Sequence, residues 1–565
     1  MQHSCTHCGT DFEITDADLA FYDKVSPVIG GKKHPIPAPV ECYDCRQQRR
    51  LAMRNERKLY ARTCDKCHAN IVSVYSPDKA NTVYCPLCWW GDDWNALSYG
   101  RPFDFNRTFF EQFKDLYLAM PKIASIVLND NINSDYAHDG AHLKNCYLIF
   151  DGESAEDCYY GELFAYIKDC CDFLYIKECE LCYECIHCNK CFDLRHSRYC
   201  NNCSSSSFLL DCNSCKNCIA CANLVQKEYC IFNKQYTKEE FEKRKSEMRL
   251  DTYTGVKKLS QEADAFFRMQ PKRATRGFMN EDVSGDNLIE CKNTYDSFDC
   301  MGMRDCRYCT NCMMGAVDCY DVDAWGTETS LIYNCAYIGA GTQQLVGCYY
   351  VGYGVSNACY SVFCLQGGDG SLFGCEGIRK EAFCILNKQY TKEEYEALVP
   401  KIIEHMQKTG DWGQFFPLGT SAFAYNETVA QDYYPLTKEE VLAKGLRWKD
   451  PDDHITDVSK TIDAGTLPDS IDDIPDDILK WAIRCEVSGR PYKIQKAELE
   501  YYRRMHLPVP RRHFDVRHAA RLGLRPPRKL WDRNCSKCKK PIATSYSPER
   551  PEIVYCESCY LQTVY

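Results

Sequence analysis

The sequence predicts a multi-domain, mainly β protein in which small cysteine-rich modules at both ends flank a parallel β-helix (β-solenoid) in two duplicated halves. Three observations predict this fold class. Paired Cys-x-x-Cys motifs lie near both ends, cysteines recur every twelve residues through the middle, and long segments repeat at fixed offsets. A chain of 565 residues is also too long for a single core, so about three to five structural units are expected.

Composition bounds the class of protein. The chain has 41 cysteines and a net charge of -10, begins without a basic and apolar leader, and nowhere runs eighteen apolar residues together. We therefore expect a cytoplasmic protein with no membrane partner, whose clustered cysteines are metal ligands or buried thiols rather than disulfides. The negative charge argues against a chain that coats nucleic acid over its whole surface.

The two ends of the chain are copies of one module. An offset of 471 carries one set of paired motifs, with the arginines and lysine upstream of it, onto the other. Farther upstream the offset becomes 480 and carries Cys5 onto Cys485. The duplication indicates that the ends share one fold.

Two Cys-x-x-Cys turns supply four thiolates in a tetrahedron, the coordination that structural zinc prefers. The pairing predicts three zinc sites, with these ligand sets: Cys5, Cys8, Cys42 and Cys45; Cys64, Cys67, Cys85 and Cys88; Cys535, Cys538, Cys556 and Cys559. No ligand position is left for water, so the zincs are expected to be structural rather than catalytic.

A cross-braced arrangement is the rival for the first two sites, and the C-terminal copy argues against it. There the first ligand set has decayed as a unit to Cys485, Ser488, His513 and Val516, while the following set keeps its four cysteines. Shared pairs would have damaged both sites. We expect a packed, metal-free remnant at the decayed position.

A basic stripe follows the first module in each copy. Its residues recur at a spacing of four: Arg46, Arg50, Arg54 and Lys58 in one copy, and Arg517, Arg521, Arg525 and Lys529 in the other, where Pro526 and Pro527 end the helix. Such a stripe can contact successive phosphates, so the sequence predicts binding of RNA or DNA. The alternatives are a solvated helix face, or a face paired with the aspartate-rich segment 450–477.

The middle of the chain carries a lattice of cysteines. Three series are spaced by twelve: Cys146, Cys158, Cys170 and Cys182; Cys179, Cys191, Cys203 and Cys215; Cys188, Cys200 and Cys212. The spacing resembles the coils of insect antifreeze solenoids, and a coil of about 24 residues fits equally. The steps of 23 to 25 between Cys312, Cys335, Cys359 and Cys384 favour the wider coil.

The two halves are also duplicated. Segment 221–236 matches 375–390 at an offset of 154, and each copy continues into Thr-Lys-Glu-Glu, at Thr237 and Thr391. This sequence recurs at Thr437 and predicts the capped start of a helix each time. The predicted boundaries are 1–62 treble-clef zinc module, 63–100 zinc ribbon, 101–140 linker, 141–236 solenoid half one, 237–287 helix and linker, 288–390 solenoid half two, 391–480 helices and acidic linker, 481–533 degenerate zinc module with basic helix, and 534–565 zinc ribbon.

Several motifs carry a resemblance to known sequences. The stretch from Cys5-x-x-Cys8-Gly through Phe21-Tyr22 to Cys42-x-x-Cys45-Arg46 resembles a family of zinc-ribbon domains of unknown role. Further motifs resemble long cysteine-rich proteins of candidate-phyla bacteria: Arg54-Asn-Glu-Arg-Lys-Leu-Tyr60, Cys182-Tyr-Glu-Cys185, Cys230-Ile-Phe-Asn-Lys-Gln-Tyr236 and Ala424-Tyr-Asn-Glu-Thr-Val-Ala430. The resemblance implies a cytoplasmic bacterial protein with zinc ribbons at both ends, and it carries no activity.

The sequence contains no nucleotide-binding loop, no nucleophile elbow and no His-Glu-x-x-His. We therefore expect a non-catalytic zinc-binding protein that contacts nucleic acid, RNA or DNA, through its basic helices. Two alternatives stay open. One is a protein-interaction scaffold that uses the solenoid face, and the other is a cysteine-rich metal store or metal-cluster protein.

Overall fold

Parallel β-strands dominate the middle of the chain, and small two-stranded sheets with short helices form its ends. The structure is a computed structural model that describes residues 1–126, 130–312, 315–324, 326–336, 339–349, 352, 354–365, 370–452, 455 and 458–564. Within these residues the protein is mainly β and multi-domain, as expected.

The N-terminal region contains two small units and a following helix. Its helices are α1 (Asp16–Val25), α2 (Tyr43–Leu51), α3 (Pro86–Trp90) and α4 (Phe109–Ala119). Its strands are Gln2–Ser4, Asp11–Glu13, Val28–Ile29, Lys32–Lys33, Tyr60–Thr63, Asn70–Ser73, Val83–Tyr84 and Lys122–Ile123. A capping box between Thr15 and Asp18 starts α1, and Cys42 is the N-cap residue of α2.

A ladder of parallel strands follows, which we call the first stack. Its strands are Ala137–Lys144, Tyr147–Glu156, Tyr159–Lys168, Leu174–Lys177, Ile186–Asn189, Phe192–Arg195, Ser204–Leu210, Lys216–Ala222 and Glu228–Ile231, and Lys234–Gln235 closes it as an antiparallel hairpin. Each strand pairs with the residues twelve positions further along the chain, as Ile149 does with Gly161. The cysteine spacing of twelve is therefore the register of this ladder.

The first stack repeats a three-residue unit. Bridges three residues apart join Lys168 to Glu180, Cys171 to Tyr183, Leu174 to Ile186 and Lys177 to Asn189. One residue in three is buried inside the stack, and another in three has left-handed backbone, with φ of 50° at Glu178 and 55° at Leu181. Asn, Asp and Gly tolerate this conformation best, which explains why asparagine and aspartate recur at these corners.

The second stack is built in the same way with a longer repeat. Its strands are Gly277–Phe278, Glu281–Ile289, Lys292–Met301, Arg304–Arg307, Val317–Tyr320, Ser330–Tyr333, Gln343–Val346, Ser356–Cys359, Leu372–Phe373 and Cys384–Ile385, closed by Lys388–Gln389. The register is 12 between Lys292 and Arg304 and 13 for each pairing from Arg304 to Ser356. It is then 14 between Ala358 and Leu372 and 12 between Leu372 and Cys384. The expectation of a wider coil in this half is therefore wrong, because the strands pair at about half that spacing.

Helices follow each stack. They are α5 (Lys238–Glu247) and α6 (Tyr253–Met269) after the first stack, and α7 (Lys392–Thr409), α8 (Ala430–Tyr433) and α9 (Lys438–Ala443) after the second. The capping boxes predicted at Thr237, Thr391 and Thr437 are confirmed, since each threonine accepts the backbone N–H of the glutamate three residues on.

The C-terminal region repeats the N-terminal one. It contains α10 (Lys496–Arg504), α11 (Phe514–Gly523) and α12 (Glu557–Val564), with strands Lys460–Asp463, Trp481–Arg484, Pro491–Tyr492, Trp531–Asn534, Pro541–Thr544 and Val554–Tyr555. The last of these pairs in parallel with Lys272–Arg273, and the matching N-terminal strand, Val83–Tyr84, pairs with Lys122–Ile123.

The two ends dock on the stacks crosswise. Phe21 of the N-terminal module stacks on Tyr320 of the second stack, with ring centroids 3.6 Å apart. Tyr160 of the first stack donates to Glu498 of the C-terminal module at 2.8 Å. The ends also meet each other, through an ion pair of 2.8 Å between Lys58 and Asp515. Each stack is thus covered by the module from the other half of the chain.

Candidate metal centres

Four Cys-x-x-Cys or related turns share one local conformation. In each turn, the residue that follows the second cysteine, or the serine in its place, donates its backbone N–H to the carbonyl of the first cysteine. These bonds run from Gly9 to Cys5, His68 to Cys64, Lys539 to Cys535 and Gly489 to Cys485. Each donor has a positive φ, between 61° and 73°. This turn points the two cysteine side chains of a motif in the same direction.

Three of the turns meet a second Cys-x-x-Cys motif at the start of a helix. The four sulfur atoms of each predicted set lie within 4.8 Å of one another, in the sets that begin at Cys5, Cys64 and Cys535. Sulfur atoms of different motifs are 3.7 Å apart for Cys8 and Cys42 and 3.9 Å apart for Cys67 and Cys85. A tetrahedral zinc with bonds of about 2.3 Å requires an edge of about 3.8 Å, so the sets fit this ion.

Backbone donors favour the thiolate form of the first cysteine in two of the three sets, whereas the pKa of the last cysteine, Cys88 or Cys559, is raised by burial and its neighbouring thiols. Burial raises the pKa of Cys64, but backbone N–H groups of Cys67 and Cys85 outweigh it and lower the pKa to about 6. Cys535 behaves in the same way, with its pKa lowered to about 6 by Cys538 and Cys556. Thiolates are the species that bind metal, so these groups are suited to a cation.

The decayed position keeps the turn and loses the ligands. The backbone N–H of Ser488 donates to the Cys485 sulfur at 3.4 Å, and the His513 ring accepts the backbone N–H of Asp515 at 3.1 Å. His513 therefore serves as the N-cap of α11, and burial lowers its pKa to about 4. Within the described residues this set is not one of the converging metal-ligand groups.

The N-terminal arginine stripe is buried. Arg46 forms a bidentate ion pair with Asp321, at 2.9 and 3.0 Å, and Arg50 pairs with Asp323 at 2.5 Å. The Arg50 side chain has no exposed surface. Helix α2 ends at Leu51, so Arg54 and Lys58 lie beyond it, and only Lys58, one-third exposed, remains in contact with solvent.

The C-terminal stripe is buried in the same way, between the first stack and Asp299 of the second stack. Arg517 and Arg521 share the two carboxylate oxygens of Asp172, and Arg525 pairs with Asp299. The Asp172 side chain is fully buried. As predicted, α11 ends before Pro526, and Lys529 is exposed.

These contacts correct the expectation that the stripes face phosphates. The ion-pair partners of Arg46, Arg50, Arg517, Arg521 and Arg525 include four aspartates of the stacks, which are Asp172, Asp299, Asp321 and Asp323. Sequence reasoning missed these four aspartates. One sign of them is present, since Asp172 interrupts a column formed by Tyr136, Leu148 and Tyr160 at intervals of twelve.

The thiols inside the stacks make hydrogen bonds to the backbone. Cys185 donates toward the carbonyl of Leu194 at 3.3 Å, and Cys179 toward those of Lys177 and Cys188 at 3.2 and 3.4 Å. Every cysteine from Cys146 to Cys384 is buried. In the described part of the chain, these sulfurs form none of the converging metal-ligand groups.

Comparisons with known proteins add little. No family model matches the chain, and no curated protein matches it. One match among solved structures is the crystal structure of a provisionally assigned acetyltransferase from Desulfovibrio desulfuricans G20, 10% identical, covering 49% of this chain and 80% of that chain at a TM-score of 0.11. At this TM-score and identity the match supports no inference about fold or function. No helix in the described residues is long and apolar enough to cross a membrane.

Proposed function

We propose that this protein is a non-catalytic, zinc-stabilised scaffold in which two β-solenoids, corresponding to the two stacks, are held together by the terminal modules and present a face to a protein partner. The observation that carries the proposal is the burial of both arginine stripes on stack carboxylates. Because those guanidinium groups are used inside the molecule, they are not available to phosphates. The surface that we propose for binding is instead the open face of the first stack, around Lys144, Glu156, Lys168 and Phe192.

Zinc and solenoid are the two structural parts of the proposal. Four convergent sulfurs at tetrahedral spacing, in three places, support zinc in closed structural sites. Parallel bridges that recur every three residues along a twelve-residue register support a solenoid with four short sides per coil. A protein of this kind buries each coil against its neighbours and offers a long, regular surface.

The open face of the first stack has the properties of a protein-binding surface. Charges of opposite sign alternate along it, with Lys144 and Lys168 both paired to Glu156 at 2.7 and 3.3 Å. Two large aromatic side chains stand out from this face, Tyr166 with 56% and Phe192 with 46% of its surface exposed. Exposed aromatic residues among charges are typical of interaction sites.

Site-specific photocrosslinking tests the proposal. A photoreactive residue at position 166 is expected to give a discrete protein adduct in cells, and the Phe192→Ala change is expected to abolish it. The control is a photoreactive residue in place of Phe278, whose side chain is 63% exposed and lies outside this face. Equal labelling at both positions, or adducts unaffected by Phe192→Ala, would contradict the scaffold.

Nucleic-acid binding is tested on the unaltered protein, because reversing a buried arginine would unfold it. We expect no RNA or duplex DNA affinity tighter than about 1 µM at physiological salt, because non-specific binding has Kd values of about 1–100 µM. Affinity in the nanomolar range that falls steeply between 50 and 200 mM salt would instead favour the nucleic-acid hypothesis.

A further inference from the structure

A cavity of about 70 Å³ lies between the first zinc-ribbon unit, the strand Lys122–Ile123 and the second stack. Aromatic rings form much of its wall, including those of Tyr75, Trp89, Tyr117 and Phe423. A single water needs about 10–15 Å³ by this measure, so the space is large enough for several waters or one ring.

One carboxylate in the wall has an oxygen with no partner. Glu376 is 4% exposed, and its Oε1 accepts from the ammonium of Lys122. Its Oε2 is buried and makes no hydrogen bond within the described residues. The Lys122 ammonium does not need Oε2 as a partner. Besides its bond to Oε1, it donates to the Tyr117 carbonyl and lies 3.5 Å from the centre of the Tyr117 ring. A buried, unpaired carboxylate oxygen is costly unless something donates to it.

The duplicated half of the molecule shows that the fold does not require this carboxylate. Asn387 holds the backbone of Glu376 by two hydrogen bonds of 2.8 Å, and Asn233 holds the backbone of Ala222 by two of 2.9 Å. Ala222 therefore stands where the second stack has Glu376. The same backbone position is filled by a methyl group in one half and by an acid in the other.

The lysine, in contrast, is common to both halves. Lys272 donates to the Phe267 carbonyl as Lys122 does to that of Tyr117, each five residues back. The backbone N–H groups of Lys122 and Lys272 bond to Thr82 and Ile553, which are themselves equivalent by the offset of 471. The lysine thus belongs to the shared framework, whereas Glu376 is specific to the half that has this cavity.

We propose that the cavity beside Glu376 is a binding site for a small, flat, uncharged ring that carries an N–H or amino donor. The donor bonds to Glu376 Oε2, and the ring lies against the aromatic walls. A neutral ligand is favoured over a cation because Lys122 already balances the charge of Glu376. The proposal adds a small-molecule site to the scaffold and does not depend on the partner of the first stack.

Aniline and toluene are the probes, since they have the same shape and differ only in the donor. By ligand-observed NMR on the full-length, zinc-loaded protein, aniline is expected to bind saturably and at least ten-fold more tightly than toluene. Glu376→Ala, which installs the residue of the other half, is expected to remove this preference. Glu404→Gln, at an exposed position, is the matched control for lost charge and is expected to keep it.

Crystals of the unaltered protein soaked in aniline keep the proposal testable if Glu376→Ala fails to fold. A ring in the cavity with its nitrogen at hydrogen-bond distance from Glu376 would support the site. Ordered water alone in the cavity, or equal affinity for the two probes, would overturn it.

Discussion

At the scale of single residues, the terminal modules are fixed by aspartates that hold buried arginines. Asp172 accepts from Arg517 and Arg521 with one oxygen each, and Asp321 accepts from Arg46 with both. Burial opposes a charged Arg517, but the attraction of Asp172 outweighs it and holds the pKa of the guanidinium above its usual value. The guanidinium group therefore stays ionised in its buried position, and neither member of such a pair is tolerable alone.

Asp172→Asn should consequently destabilise the protein strongly. It leaves the buried guanidinium of Arg521 without a carboxylate and that of Arg517 with only Glu498, at 3.6 Å. We therefore expect the free energy of unfolding to fall by about 3–5 kcal/mol in denaturant titration. Asp193→Asn is the matched control, because Asp193 has the same left-handed backbone but is half-buried and pairs with Arg195 near the surface. A change within about 0.5 kcal/mol is expected there, and similar effects of the two substitutions would contradict the buried-clamp interpretation.

Glu376 makes stability depend on pH. Burial raises its pKa from 4.5 to about 7, although Lys122 opposes the rise. A carboxyl with a raised pKa in the folded state contributes stability below pH 4.5 that is lost as the pH rises through about 7. The stability of the natural protein relative to Glu376→Gln should therefore fall by about 3 kcal/mol over this window. The cysteine thiols of the metal sites titrate alike in both proteins, so their contribution cancels in the difference between the two free energies of unfolding. A difference that stays constant with pH would contradict this prediction.

At the scale of elements, the stacks depend on the small inward side chains. Cys185 lies between Phe173 and Ser197 in its column, at intervals of twelve, and it is fully buried. Ser206, at another inward position, donates to the carbonyl two residues back as the thiols do, at 2.7 Å. Thiol and hydroxyl groups are thus equivalent in hydrogen bonding, and the thiol packs better because it is less polar.

Cys185→Ser should accordingly be mild and Cys185→Asp severe. We expect about 1–2 kcal/mol of destabilisation for serine, which keeps the donor, and loss of the folded state for aspartate, which buries a charge with no cation beside it. Thermal unfolding monitored by circular dichroism separates the two outcomes. If Cys185 were a metal ligand, serine would instead lower the metal content of the purified protein.

The sequence predicted the elements whose causes are local. The Cys-x-x-Cys turns and the capping boxes at Thr237 and Thr391 each follow from residues close together in the chain. The cysteine spacing of the first stack left coils of 12 and of about 24 residues equally open, and the strand pairing decides for 12. The length of α2 was not predicted, because the helix ends at Leu51 and Arg54 beyond it contacts the backbone carbonyl of Asp323, a residue far away in the sequence. The register of 13 in the second stack was also missed, since its cysteine spacing of 23 to 25 fits a coil of double length.

At the scale of the whole molecule, the crossed docking of modules and stacks was not predictable from one sequence. The Arg46–Asp321 pair joins residues separated by 275 positions, and the Arg517–Asp172 pair joins residues separated by 345. An arginine spacing of four is the same whether the face meets phosphates, water or carboxylates. Only the tertiary structure distinguishes these three surroundings. Here the arginines meet stack carboxylates, so the surface predicted to contact nucleic acid is buried.

The metal sites and the crossed docking are mechanically linked. Cys42 and Cys45 belong to the first four-cysteine set, and Arg46 follows immediately on α2. Loss of metal at this set would therefore release the start of the helix that carries the buried arginine. A metal ion bound at this set would therefore stabilise the assembly of the two stacks and not only the small module.

Metal analysis of the full-length protein, purified under reducing and anaerobic conditions, tests the central claim most directly. About three zinc ions per chain and no iron are predicted, one for each converging four-cysteine set, with the stack thiols remaining as packing groups. An absence of zinc, the presence of iron, or a metal content well above three would contradict the account and place metal chemistry in the stacks.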